Sequence, residues 1–283
     1  MGSLSLDLPG DGVPAVEGIR VGVGGWTYAP WRDNFYPRGL VQRRELEYAS
    51  RELSAIEING TYYGAQKPAT YAKWRDETPP GFVFSAKAPR RITQSRALDR
   101  TGAQVEDFVD GIAELGDRLA ALVWQFDAGT RIDRAAFGAF LEHLPRQVSG
   151  RPMRHVLDVR DHAFVDAEYV ALARRHGMAT VFTDSDEHPS FADVTADFVY
   201  ARLMRARPDI ASGYPADELQ AWARRARTWA QGGAPDELPT LGGADPGTGP
   251  RQREVFIFFI SAAKERNPAA AIALLRLLGA RRD

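Results

Sequence analysis

The sequence predicts an α/β fold: one (β/α)8 barrel of the TIM-barrel type, irregular between its sixth and eighth strands. Three observations lead there. Eight short apolar runs, rich in Val, Ile, Phe and Leu and bounded by polar, Gly or Pro residues, recur along the chain and read as buried strands. Amphipathic segments of helical period lie between most of them. The length of 283 residues suits a single barrel, which typically takes about 250.

Residues 1–18 contain Gly and Pro but no regular period, and are expected to form a flexible tail. The first run is Ile19–Gly24. A helix over Val41–Leu53 leads to the second, Ala55–Asn59, and the third is Phe82–Lys87. A helix over Ala103–Leu115 precedes the fourth run, Ala121–Phe126. The segment Asp133–Gln147, with Asp133 as N-cap, leads to the fifth, His155–Arg160. Asp166 caps the next helix, Asp166–His176, ahead of the sixth run, Thr180–Asp184. Only about 14 residues separate this from the seventh, Phe198–Met204, which leaves room for a turn of helix at most. A helix over Ala216–Gln231 is followed by the Gly- and Pro-rich stretch Gly232–Gly249, read as a mobile loop at about 232–250. The last run is Val255–Ile260. Pro268 then suits the first position of a helix over Pro268–Leu278. Residues 19–283 read as one domain.

Composition narrows the chemistry. Without cysteine there is no disulfide, no thiolate nucleophile and no cysteine metal site. The net charge of −1 gives no global attraction to nucleic acid or to an anionic membrane. No apolar stretch approaches the roughly 20 residues of a membrane helix, and the first 18 residues lack the pattern of a signal peptide. A soluble, cytoplasmic protein with no membrane partner is expected. Gly22-Val23-Gly24-Gly25 superficially suggests a dinucleotide loop. The third glycine is missing, however, and Trp26 follows where a helix should open. These glycines suit a tight turn or close packing, and no cofactor is expected.

Alternation along a strand puts residues two apart on one face. The second run pairs Glu57 with Asn59, the third Ser85 with Lys87, the fifth Asp158 with Arg160, and the seventh Tyr200 with Arg202. Gln125 stands alone between Trp124 and Phe126, and Asp184 ends the sixth run on the face of Phe182. With the apolar faces under the outer helices, these groups are expected inside the barrel, toward the carboxyl ends where barrel enzymes place their chemistry. Glu57, Asp158 and Asp184 are the candidate acids and bases. Asn59, Lys87, Gln125, Arg160 and Arg202 are candidate ligand contacts. The simpler alternative is a neutralised salt-bridge network, since buried charges must be paired.

The first loops carry a denser signature. Gly24-Gly25-Trp26-Thr27-Tyr28, Trp31 and Phe35-Tyr36-Pro37 are followed by Glu57-Ile58-Asn59-Gly60-Thr61-Tyr62-Tyr63, then Lys73-Trp74, Thr78-Pro79 and Phe84-Ser85-Ala86-Lys87. This resembles the YecE-like family, built on a domain of unknown function (number 72), over most of residues 19–280. The resemblance implies a TIM-barrel-like fold and no established activity. Three positions depart from the family pattern: Asp158-Val159-Arg160-Asp161 replaces a Glu before Arg-His, Met204 stands where His is frequent, and Ile260-Ser261 replaces an Asn-rich strand end.

The reading that follows is a pocket for an anionic, ring-containing small molecule. Lys87, Arg160 and Arg202 would hold its charge, and Trp26, Tyr28, Tyr62 and Tyr63 would wall its ring. Glu57 or Asp158 would supply acid–base chemistry of a metal-independent hydrolase or lyase type. On this reading Glu57→Gln and Lys87→Ala leave folding largely intact and abolish ligand capture. Two other functions are weighed. A metal-dependent endonuclease would need Glu57, Asp158 and Asp184 with His162 or His188, a set poor in histidine. A nucleic-acid binder would use Arg90, Arg91, Arg202, Arg205 and Arg207 with the aromatic residues.

Overall fold

A computed structural model describes residues 12–130, 132–243 and 251–280. Eight strands form a closed barrel, each pairing in parallel with its neighbours in chain order. They are β1 (Ile19–Gly24), β2 (Ala55–Ile58), β3 (Val83–Lys87), β4 (Leu119–Phe126), β5 (His155–Val159), β6 (Ala179–Asp184), β7 (Phe198–Leu203) and β8 (Glu254–Phe259). Each apolar run is a strand, with ends shifted by at most two residues. The last strand closes on the first through Val21 beside Ile257.

Alternation sorts each strand into two layers. Ala55, Val83, Ala121, Val156, Phe198 and Phe256 pack inside the barrel. Val21, Ile56, Phe84, Leu122, Leu157 and Ile257 face the surrounding helices. Gly22 belongs to the inner set. A Cβ there would stand 1.8 Å from the carbonyl oxygen of Ala55, so β1 and β2 approach too closely for any side chain. Gly25, with φ of 73°, makes the turn that leaves β1.

The helices are α1 (Glu45–Glu52), α2 (Pro68–Glu77), the single turn α3 (Arg90–Thr93), α4 (Gly102–Ile112), α5 (Arg134–His143), α6 (Ala167–His176), α7 (Ala216–Ala230) and α8 (Asn267–Leu278). The expected caps form: Asp133 accepts from the Ala136 amide at 2.8 Å and Asp166 from the Tyr169 amide at 2.9 Å. Pro268 sits in the first turn of α8, where its missing N–H leaves no intrahelical bond unmade.

No helix covers the barrel between β6 and β7, as the short spacing predicts. That flank is covered by the described part of the Gly/Pro-rich stretch, residues 232–243. The buried Asp193 carboxylate accepts the amides of Leu241 at 2.7 Å and Gly242 at 2.8 Å. The Ala192 amide donates to the Pro239 carbonyl at 2.7 Å. Residues 232–243 are therefore tied to the barrel wall; 244–250 lie outside the described residues. The expected tail divides in the same way. Residues 1–11 lie outside the described set, while Val13 is buried in the core and Val16 bridges to Ile19. Among the described residues no helix is long and apolar enough to cross a membrane.

Candidate functional site

Four strands bring one charge cluster together inside the carboxyl end of the barrel. Arg202, from β7, is almost wholly enclosed between Glu57 of β2 and Asp158 of β5. Its Nε lies 2.9 Å and its Nη2 2.8 Å from Glu57 Oε2, and its Nη1 pairs with Asp158 Oδ2. The Tyr200 hydroxyl donates to the same Glu57 oxygen at 2.6 Å and lies 2.7 Å from Ser85 Oγ of β3. Arg160 reaches back to Asp158 with Nη2 at 3.3 Å. Burial works against the Asp158 carboxylate, but the guanidiniums of Arg202 and Arg160 outweigh it and hold its pKa at about 2. Burial also opposes the Arg202 charge, and the two carboxylates more than restore it. This layer is a floor. Glu57 and Arg202 have essentially no exposed surface.

Above the floor opens a cleft of about 460 Å3. Lys87, at the end of β3, lies at its base and has no carboxylate within 4.0 Å among the described residues; its ammonium is 5.6 Å from the Tyr62 ring centroid. Burial, helped by the charge of Arg202, lowers its pKa to about 8. Three amide oxygens in residues lining the cleft are buried without a hydrogen-bond partner: Asn59 Oδ1, Gln125 Oε1 and Asn267 Oδ1. Gly24 leaves the room for Asn59, since a Cβ there would stand 2.7 Å from Asn59 Nδ2. On one wall the Tyr62 hydroxyl donates to Asp127, which also accepts from Gln94 at 2.9 Å and Gln125 at 2.6 Å. Burial opposes the Asp127 charge, and these donors together with Arg160 lower its pKa on balance. Burial and the Asp127 hydrogen bond push Tyr62 the other way, so its phenol stays protonated.

The opposite wall carries Trp26, packed edge-on against Trp74 with centroids 4.9 Å apart. The loop after β8 contributes Lys264, whose ammonium is 4.5 Å from the Tyr28 centroid and 5.9 Å from that of Trp31. Two residues ahead of it, Ser261 and Ala262 adopt φ of 60° and 48°, a left-handed backbone that non-glycine residues rarely hold.

The sequence-predicted residues thus fall into three groups, with Tyr28 outside the cleft lining as a fourth case. Trp26, Asn59, Tyr62, Tyr63, Lys87, Gln125 and Arg160 line the cleft. Glu57, Asp158 and Arg202 are together, but beneath it. Asp184 stands apart. It shares the face of Phe182, which packs on Trp222 and Trp229 of α7, and so points away from the barrel axis. Its oxygen lies 2.8 Å from Arg205 Nε, and burial raises its pKa against the pull of that arginine. The inward residue at that strand end is Thr183, beside Arg202. Tyr28 supports Lys264, and Trp31 and Tyr36 are buried anchors.

Asp127, Gln94, Lys264 and Asn267 were not anticipated. Asp127 was within reach of the same reasoning, because it continues the alternation two residues past Gln125. The others come from loops and a helix start, where no strand period points to a face. His155 faces outward, as its register predicts, with Nδ1 accepting from Trp124 at 3.0 Å. His162 is exposed on its loop, while His188 is partly buried. Among the described residues no three His, Cys, Asp or Glu side chains form a group able to hold a metal ion.

The model of the family described as "Protein of unknown function DUF72" matches residues 20–283. UPF0759 protein YecE of Escherichia coli strain K12 is 29% identical over 140 residues, 48% of each chain. The match therefore spans about half the length of that curated relative. A DUF72 family protein of Thermotoga maritima MSB8 superposes with a TM-score of 0.70 at 21% identity, over 92% of this chain and 99% of the other. One from Enterococcus faecalis V583 gives 0.66 at 17%, over 94% and 97%. Identity at that level is evidence of a shared fold.

Proposed function

The chain belongs to the DUF72 family of proteins of unknown function, and from the geometry of its cleft we propose that it binds an anionic, ring-bearing small molecule and exchanges a proton with it through Lys87. One observation carries the reading. At the base of the cleft an amine without a carboxylate partner stands among three buried amide oxygens without donors. Each buried polar group left unpaired costs about 1–3 kcal/mol. A ligand bearing an anion and several hydroxyl or N–H groups supplies both kinds of partner. Arg160 and Lys264 add positive charge at the walls, and Trp26, Tyr62 and Tyr63 offer ring faces.

Roles divide by depth. Asp158, held at about 2, is too weak a base for general catalysis near neutrality, and Glu57 is sealed against Arg202. Both are assigned to fixing Arg202, whose charge keeps Lys87 easy to deprotonate. Lys87, near 8, presents both protonation states at working pH. Chemistry of a lyase or metal-independent hydrolase type is in keeping with such a group, and a cytoplasmic location is part of the proposal.

Melting of the protein against a panel of sugar phosphates, sugar acids and nucleotides tests this. At least one class should raise the transition, and Lys87→Met or Arg160→Gln should reduce the rise. A panel without effect, or a rise untouched by both substitutions, refutes the reading. A second reading has one observation of its own. Tyr63 is 77% exposed at the cleft rim with the Arg90 guanidinium 5.5 Å from its ring, an arrangement suited to stacking a nucleobase. Binding of single-stranded oligonucleotides that collapses with added salt would favour it.

A further inference from the structure

Of the 36 Lys and Arg in the chain only four are lysines: Lys67, Lys73, Lys87 and Lys264. Lys67 and Lys73 are exposed; the other two line the cleft. Apart from the exposed Lys73–Glu77 pair, the ion pairs of the described fold are made by guanidiniums. Arg202 stands between Glu57 and Asp158, Arg205 beside Asp184, Arg174 beside Asp193 and Arg134 beside Asp166. A guanidinium keeps its proton and offers no usable lone pair, whereas a buried amine sheds its proton and becomes a nucleophile.

The two cleft lysines differ. Burial lowers the pKa of Lys264 too, but its ammonium lies closer over rings, 4.5 Å from the Tyr28 centroid and 5.9 Å from that of Trp31, contacts that favour the charged form. Lys87 has no carboxylate within 4.0 Å among the described residues, and burial with the repulsion of Arg202 and Arg160 favours its free amine over the opposing pull of Glu57, Asp158 and the more distant Tyr62 ring. We propose that Lys87 Nζ is a nucleophile that forms an imine with the aldehyde or ketone carbonyl of the anionic ligand. This deepens the function proposed above and rests on it. The nitrogen lone pair forms the new C–N bond while the carbonyl π pair moves to oxygen. The resulting carbinolamine loses that oxygen together with the two amine hydrogens as water, leaving C=N. No oxidant or reductant is needed. Arg160 and Lys264 hold the anionic group, and Arg202 beneath the amine keeps it unprotonated. Protonation of the imine makes it an electron sink for the adjacent carbon, the property that C–C cleavage and α-proton exchange require.

The test uses the full chain near pH 8, pyridoxal 5′-phosphate as an anionic ring-bearing aldehyde, and borohydride to reduce any imine, with the labelled lysine located by peptide mass spectrometry. At that pH Lys87 holds on the order of a hundredfold more free amine than an exposed lysine. It should therefore be labelled at least about tenfold faster than Lys67 or Lys73. Lys87→Arg should lose the label, and the wild type should bind pyridoxine 5′-phosphate, the alcohol that cannot form an imine. Lys67→Arg, at an exposed lysine outside the cleft, should keep the label on Lys87. Binding of the alcohol with no label on Lys87 overturns the imine and leaves the binding reading standing. Label on Lys87 without binding of the alcohol supports the imine and removes the ring-and-anion recognition. Absence of both overturns both.

Discussion

Lys87 leaves a signature in stability as well as in reactivity. In the unfolded chain its amine titrates near 10.5, and in the fold near 8. Between those values the unfolded state binds more protons, so the folded state gains stability as pH rises through the window. Below pH 8 the penalty of holding the ammonium is fully present. Lys87→Met should therefore be more stable than the wild type at neutral pH by about 2 kcal/mol, allowing for contact of the ammonium with the open cleft. The gap should close between pH 8 and 10.5 in urea titrations. Glu57 behaves in the opposite way. Sequence alone led us to expect that Glu57→Gln spares folding, because alternation revealed the inward face but not the depth. The carboxylate is fully buried against Arg202 and Tyr200, and loss of its charge should lower stability by about 3 kcal/mol in the same assay. Asp184 was misplaced for a related reason. Alternation already put it on the face of Phe182, and it was the concentration of polar groups at strand ends that drew it wrongly into the cluster.

At the level of elements, strands were legible to within two residues because buried parallel strands are continuous apolar runs with hard polar edges. Helix α2 was missed because it buries little beyond Tyr71, and so leaves no apolar stripe in the sequence. The link between β4 and β5 invites a pH test. His155 accepts from Trp124 and contacts the Pro145 carbonyl through Nε2 at 2.8 Å. Burial lowers its pKa from 6.5 to about 4. Stability from the neutral ring is fully present above 6.5 and is lost as pH falls through 4. His155→Gln, which does not titrate there, should gain on the wild type by up to about 3 kcal/mol over that interval. Stability measured at stepped pH would reveal a constant difference if the ring does not titrate. The flank without a helix makes a separate claim. Asp193→Ala removes the acceptor for two loop amides and for Arg174. It should raise protease cleavage within residues 232–243 well before the barrel itself unfolds. Cleavage unchanged from the wild type would show that the loop is held by other contacts.

For the molecule as a whole, closure of the barrel depends on the approach of β1 to β2. Gly22→Ala would drive a methyl group into the Ala55 carbonyl, where the obstacle is backbone and cannot turn aside. Loss of cooperative thermal unfolding is expected, and a variant that melts like the wild type would contradict the seam. The barrel itself was readable from eight apolar runs and their spacing. Which of its inward groups form a floor and which line a cleft was not, because that depends on strand stagger and on loops that carry no period.

The floor has a consequence for how such a protein can change. Arg202 links β2, β5 and β7 beneath the cleft, while Tyr63, Ser261 and Lys264 belong to loops above it. Replacement of those loop residues is insulated from the joint that holds the strands. New specificities can therefore arise by exchange of rim side chains on an unchanged scaffold, whereas any drift at Glu57, Asp158 or Arg202 must be matched at the other two positions at once.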